Sequence, residues 1–276
     1  MKSCNLQGDY ALAADGPLRL LQITDTHLMA ECGGTLLNVD TDDSLRAVVD
    51  TALAGGHDPH ALLITGDIAG DGAADAYRRL EHLLTSFGVP SFWLPGNHDG
   101  CSNAEVPITR FSRTVTTPHW HVLMLNSQVD DEVGGHLCDL ELAALSAAVD
   151  AANVAEKHLL IALHHPLHPL GCAWLDPQRI DNADVFMTEV SRCRQTTVVI
   201  SGHVHQSSDM TVRGVRYLTT PSTCIQFKPE QETFKVHDIA PGYRSLTLHP
   251  DGHLETAVVR VEGRVFPVDL NSGGYL

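Results

Sequence analysis

The chain has 276 residues, 43% of them hydrophobic, enough for one large α/β domain or two small ones with a substantial core. Its net charge of −16 opposes a nucleic-acid polymer as substrate, because binding a phosphate backbone depends on Lys and Arg releasing counterions. No apolar run approaches the roughly 18 residues of a membrane helix, and the opening MKSCNLQGDYALAADG lacks the apolar stretch of a secretory signal, so a soluble cytoplasmic protein with no membrane partner is expected.

From Leu18 onward, short apolar runs alternate with amphipathic segments. LRLLQIT (18–24) has strand length and is followed by Asp25 and His27 in the TDTH that straddles its end. DSLRAVVDTALAGG (43–56) carries apolar residues at helical spacing and stops at glycines. ALLIT (61–65) is a second strand, with Asp67 just beyond it. AADAYRRLEHLLTSFG (73–88) repeats Tyr77, Leu80, Leu83, Leu84 and Phe87 on one helical face before Gly88 and Pro90 end it. VPSFWL (89–94) is a third strand, leading into Gly96, Asn97, His98 and Asp99.

HVLMLN (121–126) and HLLIAL (158–163) are further strands, separated by a helix over 139–152, and the second runs into His164 and His165. TTVVIS (196–201) precedes the SGHVH that holds His203 and His205. The last quarter reads as strands, VRYLTTPS (215–222) and a hairpin over 243–261 turning at Pro250-Asp251-Gly252. Strands alternating with helices predict an α/β protein with at least partly parallel pairing, whose sites collect at strand C-terminal ends. With no internal repeat or linker, the simplest division is one domain over 1–265, its core at about 18–222 and strands 223–265 completing a second sheet, followed by a polar tail, 266–276.

The seven cysteines (Cys4, Cys32, Cys101, Cys138, Cys172, Cys193, Cys224) are odd in number, scattered and never paired as C-x-x-C. This argues against a disulfide framework and a thiolate zinc site, and predicts reduced thiols. Asp-x-His or Gly-Asp alone is an ordinary loop. Gly-Asn-His-Asp is rarer, expected by chance in on the order of one chain of this size in a thousand, and five such strand ends in one chain are not coincidence. Of the remaining histidines, His119, His121 and His168 lie in no motif and are expected on the surface or a pocket wall; His165 reads equally well as structural.

The order D-x-H, G-D, G-N-H-D, H, G-H-x-H resembles the calcineurin-like metallophosphoesterases, and the resemblance covers the whole catalytic core. LQITDTHL, WLPGNHD, HHPL, GCAWLD (171–176), SGHVHQ and TPSTCIQFKP (220–229) further resemble the class III cyclic nucleotide phosphodiesterases of bacteria. The family implies a four-layer α/β/β/α sandwich of two mixed sheets flanked by helices. It implies that Asp25, His27, Asp67 and His205 hold one metal and Asp67, Asn97, His164 and His203 a second, with Asp67 bridging. It also leaves His98 off the metals, beside the phosphate, and the expected catalytic residues are His98, binding phosphoryl oxygens or protonating the leaving group, and Asp99, holding it in place; the alternative is that both merely shape the turn. His27, Asp67, Asn97, His98 and His205 would surround the bound substrate.

A carboxylate, imidazole and amide set without thiolate suits two divalent ions in an open site, Fe or Mn first and Zn as a third candidate. With two anionic ligands the inner shell would carry about +2, which attracts an anionic phosphate despite the acidic surface. The implied activity is hydrolysis of 3′,5′-cyclic AMP at the 3′ ester to 5′-AMP, by a hydroxide bridging the metals. The alternatives are a broader phosphodiesterase (2′,3′-cyclic nucleotides, glycerophosphodiesters or nucleotide-lipid diphosphates) and a non-catalytic scaffold of the same fold. The partner expected is a small cyclic nucleotide, and the protein a monomer or homodimer. Phe227, Gln226 and Lys228 in STCIQFKP can stack on adenine or meet phosphate, although a structural loop has the same composition.

Overall fold

Two mixed sheets hold most of the strands in the computed structural model, which describes residues 6–99 and 111–274. In chain order the strands are β1 (Gln7–Ala11), β2 (Leu18–Ile23), the short pair β3 (Thr35–Leu36) and β4 (Val39–Asp40), β5 (Ala61–Thr65), β6 (Ser91–Leu94), β7 (Ser112–Thr116) and β8 (Trp120–Met124). They continue with β9 (His158–Ala162), β10 (Thr197–Ser201), β11 (Ser208–Val212), β12 (Val215–Thr219), the short pair β13 (Gln226–Phe227) and β14 (Val236–His237), β15 (Gly242–Leu248) and β16 (Leu254–Arg260). The helices are α1 (Thr41–Ala54), α2 (Ala74–Leu84), α3 (Asp139–Ala155) and α4 (Ala183–Val190).

One sheet runs β16-β15-β2-β5-β6, with β2, β5 and β6 parallel and the C-terminal hairpin added antiparallel to β2. The other runs β1-β7-β8-β9-β10-β12-β11, with β8, β9, β10 and β12 parallel. Alternation along these strands builds the layers. Leu160, Ala162, Val198 and Ile200 turn inward to a core shared with Leu21, Leu62 and Leu63 and with α1 and α2, whereas Leu159, Ile161 and Val199 turn outward to Leu145 and Val149 of α3 and Phe186 of α4. The result is helices, sheet, sheet, helices, as the family resemblance implies. Each fully buried Leu, Ile or Phe here contributes about 1.5–3 kcal/mol.

Polar groups between the sheets are satisfied as a chain. Arg244 Nε donates to Thr220 Oγ1 (3.2 Å), Thr220 Oγ1 donates to Gln22 Oε1 (2.5 Å), and Gln22 Nε2 donates to Thr65 Oγ1 (2.9 Å) and the Ser201 carbonyl (3.2 Å). Burial pulls the Arg244 guanidinium down to about 10. These bonds join β15, β2, β5 and β10 at the ends where the site begins. Helix α1 starts at Asp40, whose carboxylate accepts the Asp43 N–H at 2.9 Å, with Asp42 and Asp43 favourably placed at the positive end of the helix dipole.

The hairpin expected over 243–261 joins the five-stranded sheet, while β12 lies in the other. The stretch expected as a polar tail, 266–276, begins packed against the protein. Phe266 and Val268 pack against the core and the Asp269 N–H donates to the Leu37 carbonyl. Strands β1, β7 and β11 and the eight-residue α4 were not anticipated, since β1 is exposed along its length and depends on its long-range partner β7. Cys4, Cys101 and Gly100 lie outside the described residues; the five described cysteines are free thiols.

Candidate active site

The C-terminal ends of β2, β5 and β6 in one sheet meet those of β9 and β10 in the other, and all seven expected ligands emerge there. The loops are stitched to one another: Asp25 N–H donates to the Gly66 carbonyl and His27 N–H to the Asp67 carbonyl, both at 3.0 Å. The Asp25 carboxylate crosses between sheets to accept the His203 N–H (3.0 Å to Oδ1), and Asp67 Oδ1 accepts the His98 N–H at 2.9 Å.

Five of these residues adopt the left-handed backbone region that side chains disfavour: Asp25 (φ 54°), His27 (φ 45°), Asp67 (φ 49°), His203 (φ 66°) and His205 (φ 47°). Each costs about 1–3 kcal/mol, a strain that marks functional positions. Gly96 is needed for room rather than for a tight turn of its own. A Cβ there would lie 2.2 Å from Asp67 Oδ1.

The side chains form two groups that share Asp67. In the first, His27 Nε2 and His205 Nε2 are 3.2 Å apart, His205 Nε2 lies 3.4 Å from Asp25 Oδ1, and His27 Nε2 is 3.8 Å from Asp67 Oδ2. In the second, His164 Nε2 lies 3.2 Å from Asp67 Oδ2 and 3.1 Å from Asn97 Oδ1, and His203 Nδ1 faces the same Asn97 oxygen at 3.1 Å. Asp25, Asp67, His27, His164 and His205 are at most 2% exposed, while Asn97 and His98 are half-buried on the open side.

The outer partners show which ring nitrogen points in. His164 Nδ1 faces the Thr65 carbonyl (2.9 Å) and His205 Nδ1 the Ile225 carbonyl (2.9 Å); a carbonyl only accepts, so those nitrogens carry the protons. The inward nitrogens therefore converge on carboxylate and amide oxygens. Acceptors gathered this closely require positive charge among them. Burial alone would lower the His164 pKa, but attraction and hydrogen bonding to Asp67, with help from Asp25 and the Thr65 carbonyl, outweigh it and hold the imidazole up at about 9. Burial would raise Asp67, yet the surrounding His164 and His98 pull it well below the usual carboxylate range. His27, where burial dominates, is pushed down to about 3 and stays neutral. The residues present thus fit divalent cations, with Asp25, His27, Asp67, Asn97, His164, His203 and His205 as the side chains that would hold them.

His98 stands edge-on to His27, ring centroids 5.0 Å apart. Asp99 has a different position from the one expected. Its carboxylate accepts from Ile68 N–H (3.1 Å), Ala69 N–H (3.2 Å), Gly96 N–H (2.8 Å) and the Tyr77 hydroxyl (2.6 Å), partners on the two ligand loops and on α2, not the His98 ring. Burial and the nearby Asp67 push it up to about 6 in spite of these bonds.

His165 resolves as structural. Its Nε2 donates to the Val133 carbonyl (3.1 Å), Nδ1 faces the Ser127 hydroxyl (2.8 Å), and burial holds its pKa at about 3, so both ring nitrogens have protein partners. Phe227 and Gln226 do not present a base-reading surface. Phe227 is 3% exposed and stacks on His205, and Gln226 Nε2 donates to the Ser222 (2.8 Å) and Ile225 (3.0 Å) carbonyls while its Oε1 accepts from Arg260 (3.1 Å). Lys228 is exposed. Sequence reasoning missed Gln178, whose Oε1 accepts from His203 Nε2 at 3.0 Å. The only signal for it was the adjoining GCAWLD stretch.

Residues 18–207 match the family model described as calcineurin-like phosphoesterase. The chain is 40% identical over 271 residues to the 3′,5′-cyclic adenosine monophosphate phosphodiesterase CpdA of Vibrio vulnificus, covering 95% of this chain and 97% of that one. It is 38% identical over 269 residues to the protein of the same name from Escherichia coli, covering 96% and 97%. Among solved structures, a dimetal phosphatase from Danio rerio superposes with a TM-score of 0.62 at 15% identity, over 90% of this chain and all of the other, a likeness of fold. Motifs, fold and relatives agree, and the chain belongs to the calcineurin-like phosphoesterase family.

Proposed function

We propose that the protein is a metal-dependent phosphodiesterase that hydrolyses 3′,5′-cyclic AMP to 5′-AMP. The observation that carries the reading is the pair of buried ligand groups sharing Asp67 at the junction of the sheets, in a chain whose CpdA relatives align over nearly its whole length. When bound, the two cations supply Lewis-acid charge and make a water-derived nucleophile available near neutral pH. Fe or Mn is the first choice for this oxygen and nitrogen ligand set, with Zn third.

In the reaction one P–O bond to the oxygen of water forms, the bond from phosphorus to O3′ breaks, and O3′ takes up a proton. His98, half-buried beside His27, is the proposed donor of that proton or of a hydrogen bond to the phosphoryl oxygens. Asp99 acts at one remove: by gripping Ile68, Ala69 and Gly96 it fixes the loops that carry Asp67 and Asn97. Around the phosphate, His27, Asp67, Asn97, His98 and His205 form the wall. The net charge of −16 favours a small nucleotide over a polymer. The described residues include no helix long and apolar enough to cross a membrane; a cytoplasmic monomer or homodimer is the proposed setting.

Metal analysis of purified protein combined with a panel of diesters tests this. About two ions per chain and the highest kcat/KM for 3′,5′-cyclic AMP are expected. Better turnover of 2′,3′-cyclic nucleotides, glycerophosphodiesters or nucleotide-lipid diphosphates would favour the broader phosphodiesterase, and metal-loaded protein without turnover would favour a scaffold.

A further inference from the structure

Three histidines of the site have a visible outer partner, and one partner differs in kind. His164 and His205 lean on backbone carbonyls, those of Thr65 and Ile225, which belong to the sheet ends themselves. His203 leans on a side chain, Gln178, in the segment between β9 and α4. Gln178 Nε2 donates to the Trp174 carbonyl at 3.2 Å, so Oε1 is the atom that faces His203, and His203 Nε2 must carry the proton. The lone pair then lies on Nδ1, the nitrogen turned toward Asn97 Oδ1.

The same segment touches the second histidine of the SGHVH motif through aromatic rings. Trp174 packs edge-on against Phe227 (centroids 5.0 Å), and Phe227 stacks on His205 (4.2 Å, planes within 4°). The segment is cross-linked by hydrogen bonds of its own. Asp176 Oδ1 accepts the Leu170 N–H at 2.7 Å, and Arg179 donates back to the Asp176 carbonyl at 2.8 Å. One short stretch outside both sheets thus reaches both groups of ligands.

We propose that Gln178 is a positioning residue for the ion that Asp67, Asn97, His164 and His203 would hold: it fixes the His203 tautomer and ring orientation. The inference rests on the two-metal reading above. A neutral amide suits the place, since it accepts from the ring without adding charge to a group that already contains Asp67. Of the outer partners of the three histidines, it is also the one that a substitution can remove.

The test is Mn²⁺ titration of metal-stripped protein, followed by the electron paramagnetic resonance of free Mn²⁺, on wild type, Gln178→Leu and Gln178→Glu, with the melting temperature of each metal-free protein. Gln178→Leu is expected to weaken one of the two equivalents by roughly 10- to 100-fold and leave the other within a few-fold. Gln178→Glu keeps the length and the acceptor for the His203 proton, while it loses the donation to the Trp174 carbonyl and adds a charge, and is expected to recover most of the lost affinity. Gln178→Leu titrating like wild type would overturn the inference. So would equal weakening of both equivalents with a lowered melting temperature that Gln178→Glu does not rescue, since that pattern describes general packing. Wild-type protein taking up fewer than two equivalents overturns the two-metal reading itself, and the inference with it.

Discussion

His205 lies flat on Phe227, ring centroids 4.2 Å apart and planes 4° from parallel, so an expected metal ligand has an aromatic wall at its back. Phe227 is 3% exposed and also meets Trp174 and Phe234. Phe227→Ala should cost about 3–5 kcal/mol of stability through the cavity it leaves. It should also loosen the ion beside Asp25 and His27. Denaturant unfolding and metal titration check both; unchanged metal affinity would reduce the stack to core packing.

The pH dependence of metal uptake follows from His164. In the metal-free fold its pKa stands at about 9 against an ordinary 6.5, because attraction to Asp67 and Asp25 and hydrogen bonding outweigh burial. A raised folded pKa stabilises fully below about 6.5, and that contribution is lost as pH rises through about 9. A cation needs the Nε2 lone pair and competes with the proton. Apparent affinity should rise about tenfold per unit between pH 7 and 9, a handicap of ~3 kcal/mol at pH 7, and binding there should release about one proton. Calorimetry in two buffers of different ionisation enthalpy measures the proton; affinity independent of pH would contradict this origin.

Gly96 has no room for a methyl group. A Cβ 2.2 Å from Asp67 Oδ1 and 2.5 Å from Asp67 N must push the shared ligand aside. Gly96→Ala should lower kcat/KM by about 100-fold or more, as expected for a displacement near 1 Å. Metal content should fall with it. Full activity in this variant would argue against Asp67 as a metal ligand.

Asn97 and His98 are neighbours with separable jobs. Asn97→Ala should weaken the ion shared with His164 and His203 and lower kcat strongly. His98→Ala should leave metal content near that of wild type and slow hydrolysis by about 10²- to 10⁴-fold, the usual range for a lost proton donor. The loss should be largest for substrates with poor leaving groups. If activated aryl phosphodiesters and cyclic AMP suffer equally, His98 binds phosphate and donates no proton.

The candidate ligands were legible because each sits in a short local motif directly after an apolar run, and the fold brings strand ends together. Asp25, His27, Asp67, Asn97, His164, His203 and His205 needed no knowledge of pairing. What stayed hidden depends on contacts made at long range. The Thr65 and Ile225 carbonyls that orient two histidines have no residue-type signature, and Gln178 lies 25 positions from the ring it supports. STCIQFKP had the composition of a nucleotide-binding loop, but composition does not say which way a ring turns. Phe227 faces a ligand and Gln226 the backbone. For Asp99, the expected His98 support gave way to a stronger demand, three buried N–H donors and a tyrosine hydroxyl.

The most direct measurement is hydrolysis of 3′,5′-cyclic AMP by the Mn²⁺- or Fe²⁺-loaded protein in ¹⁸O-labelled water, with the product identified and kcat/KM compared across the diester panel. The account predicts 5′-AMP carrying one ¹⁸O on phosphorus, with 3′,5′-cyclic AMP the preferred diester. Formation of 3′-AMP, label on the ribose, or a higher kcat/KM for a different class of diester would contradict it.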